Sequence, residues 1–506
     1  MGSAAFLNEA INQLAEAYLD RKQKELGELI PADKRLGELQ RVKMYIADRN
    51  VYGIDLNPVA VELAEVSLWL NTIHEGGFVP WFGTQLVCGN SLIGARRQCY
   101  RIEALQATSK GLRWFENAPD RVPMTAKRMP KKQVWHFLLG DPGMCSYSDK
   151  VIKSLEPENI KAMKAWNKKF TAPYTDDDIA TLLRLSAVID ELWQAQVRLR
   201  QEVEAKTRDR LSVYGREDDA ADSHTTIRQK DRILSELYRS EHMRNAGPYA
   251  RLKFAMDYWC ALWFWPIDRA ELLPTRSEFL FDLSLILEGT MASIDVQAGQ
   301  LSLFEATELE QIAMEIVETY GMDTVVDIPA LRKNSPRLDL AARIAERNRF
   351  MHWELEFADL FAERGGFDLF EGNPPWIKIT WSETAVLSDS KPMLAIRDLD
   401  VSKIKEYRSE AFEYNFARNS YFSEYESING ELSFLNATAN YHVLAGQQTN
   451  LYKCFLPQAW MFNSSNGVSA FIHPNSIFDD PKGGILRKEI YPRLRYHFHF
   501  WNEYND

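Results

Sequence analysis

The stretch Gly366-Phe367-Asp368-Leu369-Phe370-Glu371-Gly372-Asn373-Pro374-Pro375-Trp376 constrains the fold more than any other part of the chain. Phe367, Leu369 and Phe370 supply the apolar and aromatic content of a short buried strand, and Gly372 lets the backbone turn out of the sheet. Pro374 and Pro375 then fix their own φ, remove two N–H donors and push the residue before each into extended space. The Asn373 and Pro374 carbonyls are thereby held ready as acceptors, with a flat aromatic, Trp376, directly behind them. Two acceptors beside an aromatic plate suit a planar ring that carries an exocyclic amino group. Such a loop can favour the nitrogen geometry whose lone pair attacks, which is positional and electrostatic catalysis without a conventional base. The same tripeptide also serves as a plain turn after a strand, and the residues alone leave that reading open.

In its setting the motif resembles a known one. Asn373-Pro374-Pro375-Trp376 after a Gly-Phe-Asp strand resembles the amino-methyltransferase motif of S-adenosylmethionine-dependent N6-adenine DNA methyltransferases, the large restriction-modification methylases of the Eco57I type in particular. The preceding Phe350-Met351-His352-Trp353-Glu354-Leu355-Glu356-Phe357 is similar to what those enzymes carry before this strand. Within that group the chain looks most like the adenine methylases of phage-defence clusters, the DISARM type first and the BREX type second. The resemblance implies a class I methyltransferase: an α/β protein with a Rossmann-like, doubly wound sheet. It also implies methyl transfer from S-adenosylmethionine to adenine N6 in double-stranded DNA, with Asn373, Pro374, Pro375 and Trp376 as the catalytic loop. The target adenine must be flipped out of the duplex at a cost of a few kcal/mol, partly returned by stacking on Trp376. No metal is implied.

Three further stretches fit a cofactor site in such a sheet. Gly2 and Ser3 stand before a helix whose apolar face is Leu7, Ile11, Leu14 and Tyr18, and backbone N–H groups there can meet the cofactor's carboxylate, although a plain cap explains them as well. They resemble the second half of the family's Asp-Pro-x-x-Gly-Ser-Gly-x-Phe loop, with Ala4 where its second glycine usually stands. Asp55 ends the short strand around Ile54, and Asn57 and Pro58 then read as N-cap and first residue of a helix apolar enough to be mostly buried. An acid at that strand end can accept from both ribose hydroxyls. Asn90, after the strand around Leu86 and Val87, resembles the residue that meets the cofactor's adenine, and is equally explicable as a turn former. Asn450 and Tyr452 open a helix that resembles the family's fifth motif, which lines the cofactor pocket.

At 506 residues the chain is long enough for two or three domains with a sizeable core. A formal charge of −11 argues against a whole-surface grip on DNA, so any DNA contact is local. No apolar run reaches the roughly 18 residues of a membrane span. The five cysteines show neither CxxC pairing nor zinc spacing, which fits a reducing cytoplasm.

From residue 101 to 345 the alternation of strand and helix stops, and residues 179–213 and 227–238 are amphipathic. The expected organisation is a first methyltransferase part over 1–100, a mainly helical insertion over 101–345 and a second part over 346–506 that carries the catalytic loop. Glu204-Ala205-Lys206 has a nuclease-like spacing but reads as a charged helix, and the aromatic run from Tyr258 to Trp265 reads as core. Residues 216–222 and 289–300 read as linkers, and 377–408 as a connection or mobile loop. Residues 467–472 and 495–501 read as strands, and His497 and His499 on the second as ordinary strand histidines rather than a metal pair.

In the sheet the resemblance implies, the first and central strand would precede Met1, and only five residues follow Trp501. The chain is therefore expected to be an internal fragment that binds cofactor and specific DNA weakly or not at all by itself. Two other readings remain: a DNA-binding or scaffold subunit of a defence complex that keeps a degenerate methylase fold, and a protein-glutamine or RNA methyltransferase.

Overall fold

The computed structural model describes residues 2–106, 113–216, 224–238, 240–289, 326–397, 400–447 and 449–500. Two helices open the chain, α1 (Ala5–Leu26) and α2 (Ala32–Asn50), and α1 buries the single stripe Ile11, Ala15 and Leu19. Strand β1 (Gly53–Asp55) follows. The chain re-enters a helix, α3 (Pro58–Thr72), through the anticipated cap: the Asn57 side chain accepts from Val59 N–H at 3.0 Å, and Pro58 needs no donor there.

The expectation that α3 is mostly buried does not hold. It buries Val61, Ala64, Leu68 and Thr72, while Val59, Leu63, Val66 and Leu70 are exposed. Residues three and four apart share one face, and α1, α2, β1 and β2 (Leu86–Cys88) all meet α3 on that face.

β1 and β2 pair in parallel, Gly53 opposite Leu86 and Asp55 opposite Cys88. Far along the chain, β6 (Phe367–Gly372) and β7 (Asn463–Phe471) form a second parallel pair, with a register irregularity between Phe367 and Leu369. The expected single doubly wound sheet is thus replaced by two parallel pairs, with no strand hydrogen-bonded between them among the described residues. Side chains join them instead. Tyr52 lies edge-on to Phe357 and Phe367 at 5.3 and 5.6 Å, and Ile54 and Val87 pack in the same cluster as Met351, Trp353 and Phe370.

A third sheet, antiparallel, straddles the start of the stretch expected to be helical: β3 (Gln98–Arg101) between β4 (Asp120–Arg121) and β5 (Gln133–Trp135). After it the chain is helical. The long α4 (Asp176–Thr207) is entered through a reciprocal Thr175–Asp178 capping box, and α5 (Ile227–Tyr238) and α6 (Pro248–Ala261) pack beside it. Glu204 and Lys206 lie on α4, as a charged helix requires. The aromatic run is core: Trp259, Trp263 and Trp265 are buried, and Phe434 of α7 (Asn415–Asn436) sits edge-on to the first two. This main core also takes in Tyr452 and Cys454 of α8 (Leu451–Phe462).

The strand expected over 495–501 is not formed over its described part. Residues 494–500 make no ladder, and Tyr496, Phe498 and Phe500 are exposed, since no strand edge among the described residues takes up their backbone groups. Most of 216–222 and 289–300 lies outside the described residues. No helix among those described is long and apolar enough to cross a membrane.

Candidate functional site

The parallel register sends both strands of each pair in one direction, so the segments that leave β1, β2, β6 and β7 emerge at carboxyl ends, where open α/β sheets bind ligands. At the end of β1, Asp55 accepts from Gly2 N–H at 2.7 Å and from Asn57 N–H at 2.9 Å. Partial burial pushes its pKa up, the two backbone donors pull it down, and the balance lies below the ordinary value.

The Gly2-Ser3-Ala4 turn therefore lies against the acid, with Ser3 exposed. Ala4 answers the question raised by its substitution for glycine: it is buried and sits at φ 64°, ψ 24°, the left-handed conformation that glycine adopts freely. The turn keeps the glycine shape with alanine in it. No side chain caps α1 and no acid occupies its first turn, so its first N–H groups stay open beside Asp55.

Asn90, beyond β2, spends its side-chain oxygen on Leu92 N–H at 3.2 Å, and its own N–H goes to the Arg349 carbonyl at 2.7 Å. The amide nitrogen of its side chain is what remains for a ligand. Arg349 in turn donates to the Leu56 carbonyl and to Cys88 Sγ, at 2.8 and 2.9 Å, and so ties the ends of β1 and β2 to the segment that leads into β6.

At the end of β6, Asn373 is exposed, Pro374 buried and Pro375 exposed, with no cis peptide bond. Neither the Asn373 side-chain oxygen nor the Pro374 carbonyl has a partner among the described residues. Trp376 is 54% exposed and is steadied at one edge by its indole N–H on the Ile472 carbonyl at 3.2 Å, past the end of β7. Two open acceptors and a fixed, solvent-facing aromatic plate stand together. Glu371, just before, has its carboxyl pKa pushed up by burial.

Asn450 is held to this loop through a bridge with Lys378 and the Leu451 N–H on the Ile377 carbonyl at 3.0 Å. Its side-chain oxygen is buried and without a partner. Tyr452 is placed differently: its ring is buried and stacked on His473 at 5.5 Å, and its hydroxyl shares a hydrogen bond with Ser476. Asn450 thus lies beside the segment that follows Trp376, Tyr452 packs on His473 and Ser476 past β7, Gly2 and Ser3 gather with Asp55, and Asn90 is bound to Arg349.

Sequence reasoning assigned no role inside Phe350–Phe357, and there it missed the residues that fasten the site. Ala95 N–H donates to His352 Nδ1 at 3.0 Å, so that nitrogen carries no proton and Nε2–H faces Asp257 Oδ1 at 3.0 Å. Burial pushes the imidazole pKa down against the pull of Asp257. Glu354 accepts from Arg97 N–H at 2.6 Å, and Trp353 donates to the Ser91 carbonyl at 2.8 Å while stacking on Phe462. The signal available was a histidine and an acid embedded in aromatics, where a buried polar group requires a partner.

The residues present suit the chemistry of S-adenosylmethionine: an acid held below its ordinary pKa, an uncapped helix N-terminus beside it and an orphaned buried amide oxygen. No group of three or more potential metal ligands occurs among the described residues.

The family model of the Eco57I restriction-modification methylase matches residues 283–497, which include β6, the Asn373–Trp376 loop, α8 and β7. The match supports a restriction-modification-type DNA methyltransferase in general. Neither a curated protein nor a solved structure matches the chain.

Proposed function

We propose that the chain methylates adenine N6 in DNA with S-adenosylmethionine, within a restriction-modification or phage-defence system. The observation that carries the reading is the pair of open acceptors, the Asn373 side-chain oxygen and the Pro374 carbonyl, beside the exposed Trp376 in the stretch that the methylase family model matches.

When bound, S-adenosylmethionine supplies the electrophilic methyl group. Asp55 would accept from the ribose hydroxyls, and the open N–H groups at the start of α1 would face the carboxylate. Asn450 Oδ1 would take a donor from cofactor or target. The flipped adenine stacks on Trp376, and its amino N–H groups point at Asn373 Oδ1 and the Pro374 carbonyl. Both acceptors draw the amino nitrogen towards the pyramidal geometry whose lone pair attacks, and they stabilise the positive charge that develops on it.

The test is the Asn373→Ala variant of the full chain, with methyl-labelled cofactor, duplex DNA and digestion to nucleosides. Label in N6-methyladenine is expected from the parent, with the rate lower by about 10²- to 10³-fold in the variant and cofactor affinity nearly unchanged. Label in cytosine or protein, or near-parental turnover by the variant, refutes the assignment.

A further inference from the structure

A cavity of about 500 Å³ lies along the outer edge of β2, between that strand and helices α5 and α6. It is separate from the strand-end site, since Asp55, Asn373, Trp376 and Asn450 are not among its walls. Its floor is polar backbone. Gly53 N–H bonds to the Gln85 carbonyl and Gly89 N–H to the Asp55 carbonyl, so residues 85, 87 and 89 turn their peptide groups towards β1. In a parallel ladder the alternate residues, Leu86 and Cys88, must turn theirs outward. The Leu86 N–H is taken by the Phe82 carbonyl. The Leu86 carbonyl and the Cys88 N–H have no partner among the described residues, and both residues line the cavity. One step further the edge is filled again, by the Arg349 carbonyl on Asn90 N–H.

An acceptor at one residue and a donor two residues on, along one strand edge, are complementary to a planar ring with an amino group beside an unprotonated ring nitrogen. Adenine presents such an edge. The walls supply faces for a flat ring, from Tyr238, Phe254, Phe350 and Met351. Three cations line the cavity, of which Arg200 is buried and spent on Asp359 at 3.0 Å. Lys253 pairs with Asp257 at 2.7 Å yet keeps 31% of its side chain open, and Arg244, also part of the wall, is exposed and makes no ion pair among the described residues. The acids nearby are already engaged, Asp257 by Lys253 and His352 and Glu356 by the Tyr249 hydroxyl. The volume is that of an ordinary small-ligand site.

We infer that this cavity binds an adenine nucleotide, its amino-ring edge on the Leu86 carbonyl and Cys88 N–H and its phosphate on Lys253 and Arg244. The inference does not rest on the methyltransferase reading. An adenosine group with an anionic tail could come from a free nucleotide or from S-adenosylmethionine, and the experiment separates the two.

The full chain is titrated calorimetrically with AMP, adenosine and S-adenosylmethionine, and Cys88 alkylation by iodoacetamide is followed with and without AMP. AMP is expected to bind one per chain and to slow alkylation of Cys88. Lys253→Met and, separately, the rim variant Arg244→Ala are expected to weaken AMP about tenfold, the loss of one charged contact, and to leave adenosine unchanged. Asp55→Ala is expected to leave AMP binding intact. Arg244→Ala keeps the test decisive if Lys253→Met does not fold. The inference is overturned if AMP gives no heat at millimolar concentration, or if AMP affinity is indifferent to both cation variants. It is equally overturned if Asp55→Ala abolishes binding of AMP and S-adenosylmethionine together, which would place the nucleotide at the strand ends.

Discussion

Glu426 offers a stability test whose size and sign follow from its surroundings. It lies on α7, is buried, and accepts from Ile267 N–H at 2.7 Å, with Asp268 nearby and the more distant Arg347 as its chief positive influence. Burial pushes its carboxyl up to about 8. An acid whose pKa is raised by folding holds a proton that the unfolded chain releases above about pH 4.3, so its contribution to stability declines as pH rises from there to the folded value. The decline is about 1.4 kcal/mol per pH unit, which gives a ceiling of about 4 kcal/mol between pH 5 and 8. Glu426→Gln keeps an oxygen for the Ile267 N–H and removes the titration. The variant should match the parent in urea denaturation near pH 5 and exceed it by about 2–4 kcal/mol at pH 8, read from the midpoint at unchanged slope. Asp141, pushed up to about 7 by burial, and Glu431, likewise to about 7, occur in both proteins and cancel in the difference. A difference between variant and parent that is the same at pH 5 and pH 8 refutes the reasoning.

Three other substitutions test particular contacts. Asp55→Ala should loosen S-adenosylmethionine without changing DNA binding; because the Asp55 pKa is held below the ordinary value, the parent's affinity should persist through pH 5 and fall only as the pH drops through that depressed pKa, which calorimetry can follow. Trp376→Ala should weaken capture of a flipped base by about 1–3 kcal/mol, read by 2-aminopurine fluorescence at the target position, and unchanged flipping would make the ring a bystander. Gly94→Ala should not yield folded protein at all: a Cβ there would lie 1.8 Å from the Met351 carbonyl oxygen, a backbone atom that cannot step aside, and a cooperative melt close to the parent's would refute the close packing of these two segments.

Local features of this chain were legible from residue type because their causes are local. Asn57 and Pro58 start a helix because one accepts an orphan N–H and the other lacks one. Pro374 and Pro375 stiffen the loop after β6 whatever surrounds it, and a dense aromatic run such as Tyr258–Trp265 has nowhere to go but inward. The positions of the candidate residues were legible to the same depth: Asp55 ends its strand and Asn373–Trp376 follow theirs, and a strand's end is visible in sequence. The left-handed conformation of Ala4 was not legible, because an L-residue other than glycine seldom adopts it.

What tertiary structure alone decided is which distant groups meet. β6 finds β7 across nearly a hundred residues, while β1 and β2 pair with each other and with no other strand among the described residues, so the sheet divides in two although each of these strands reads correctly by itself. The apolar circumference of α3 gave no indication of which third would be covered, because burial depends on what packs against the helix and not on its composition. Residues 494–500 have strand-like residues and no strand, since a ladder needs a partner edge. His352 carries its proton on Nε2 because Ala95 N–H, 257 positions away, occupies Nδ1. A hydrogen bond has two ends, and the sequence around one of them does not say where the other will come from.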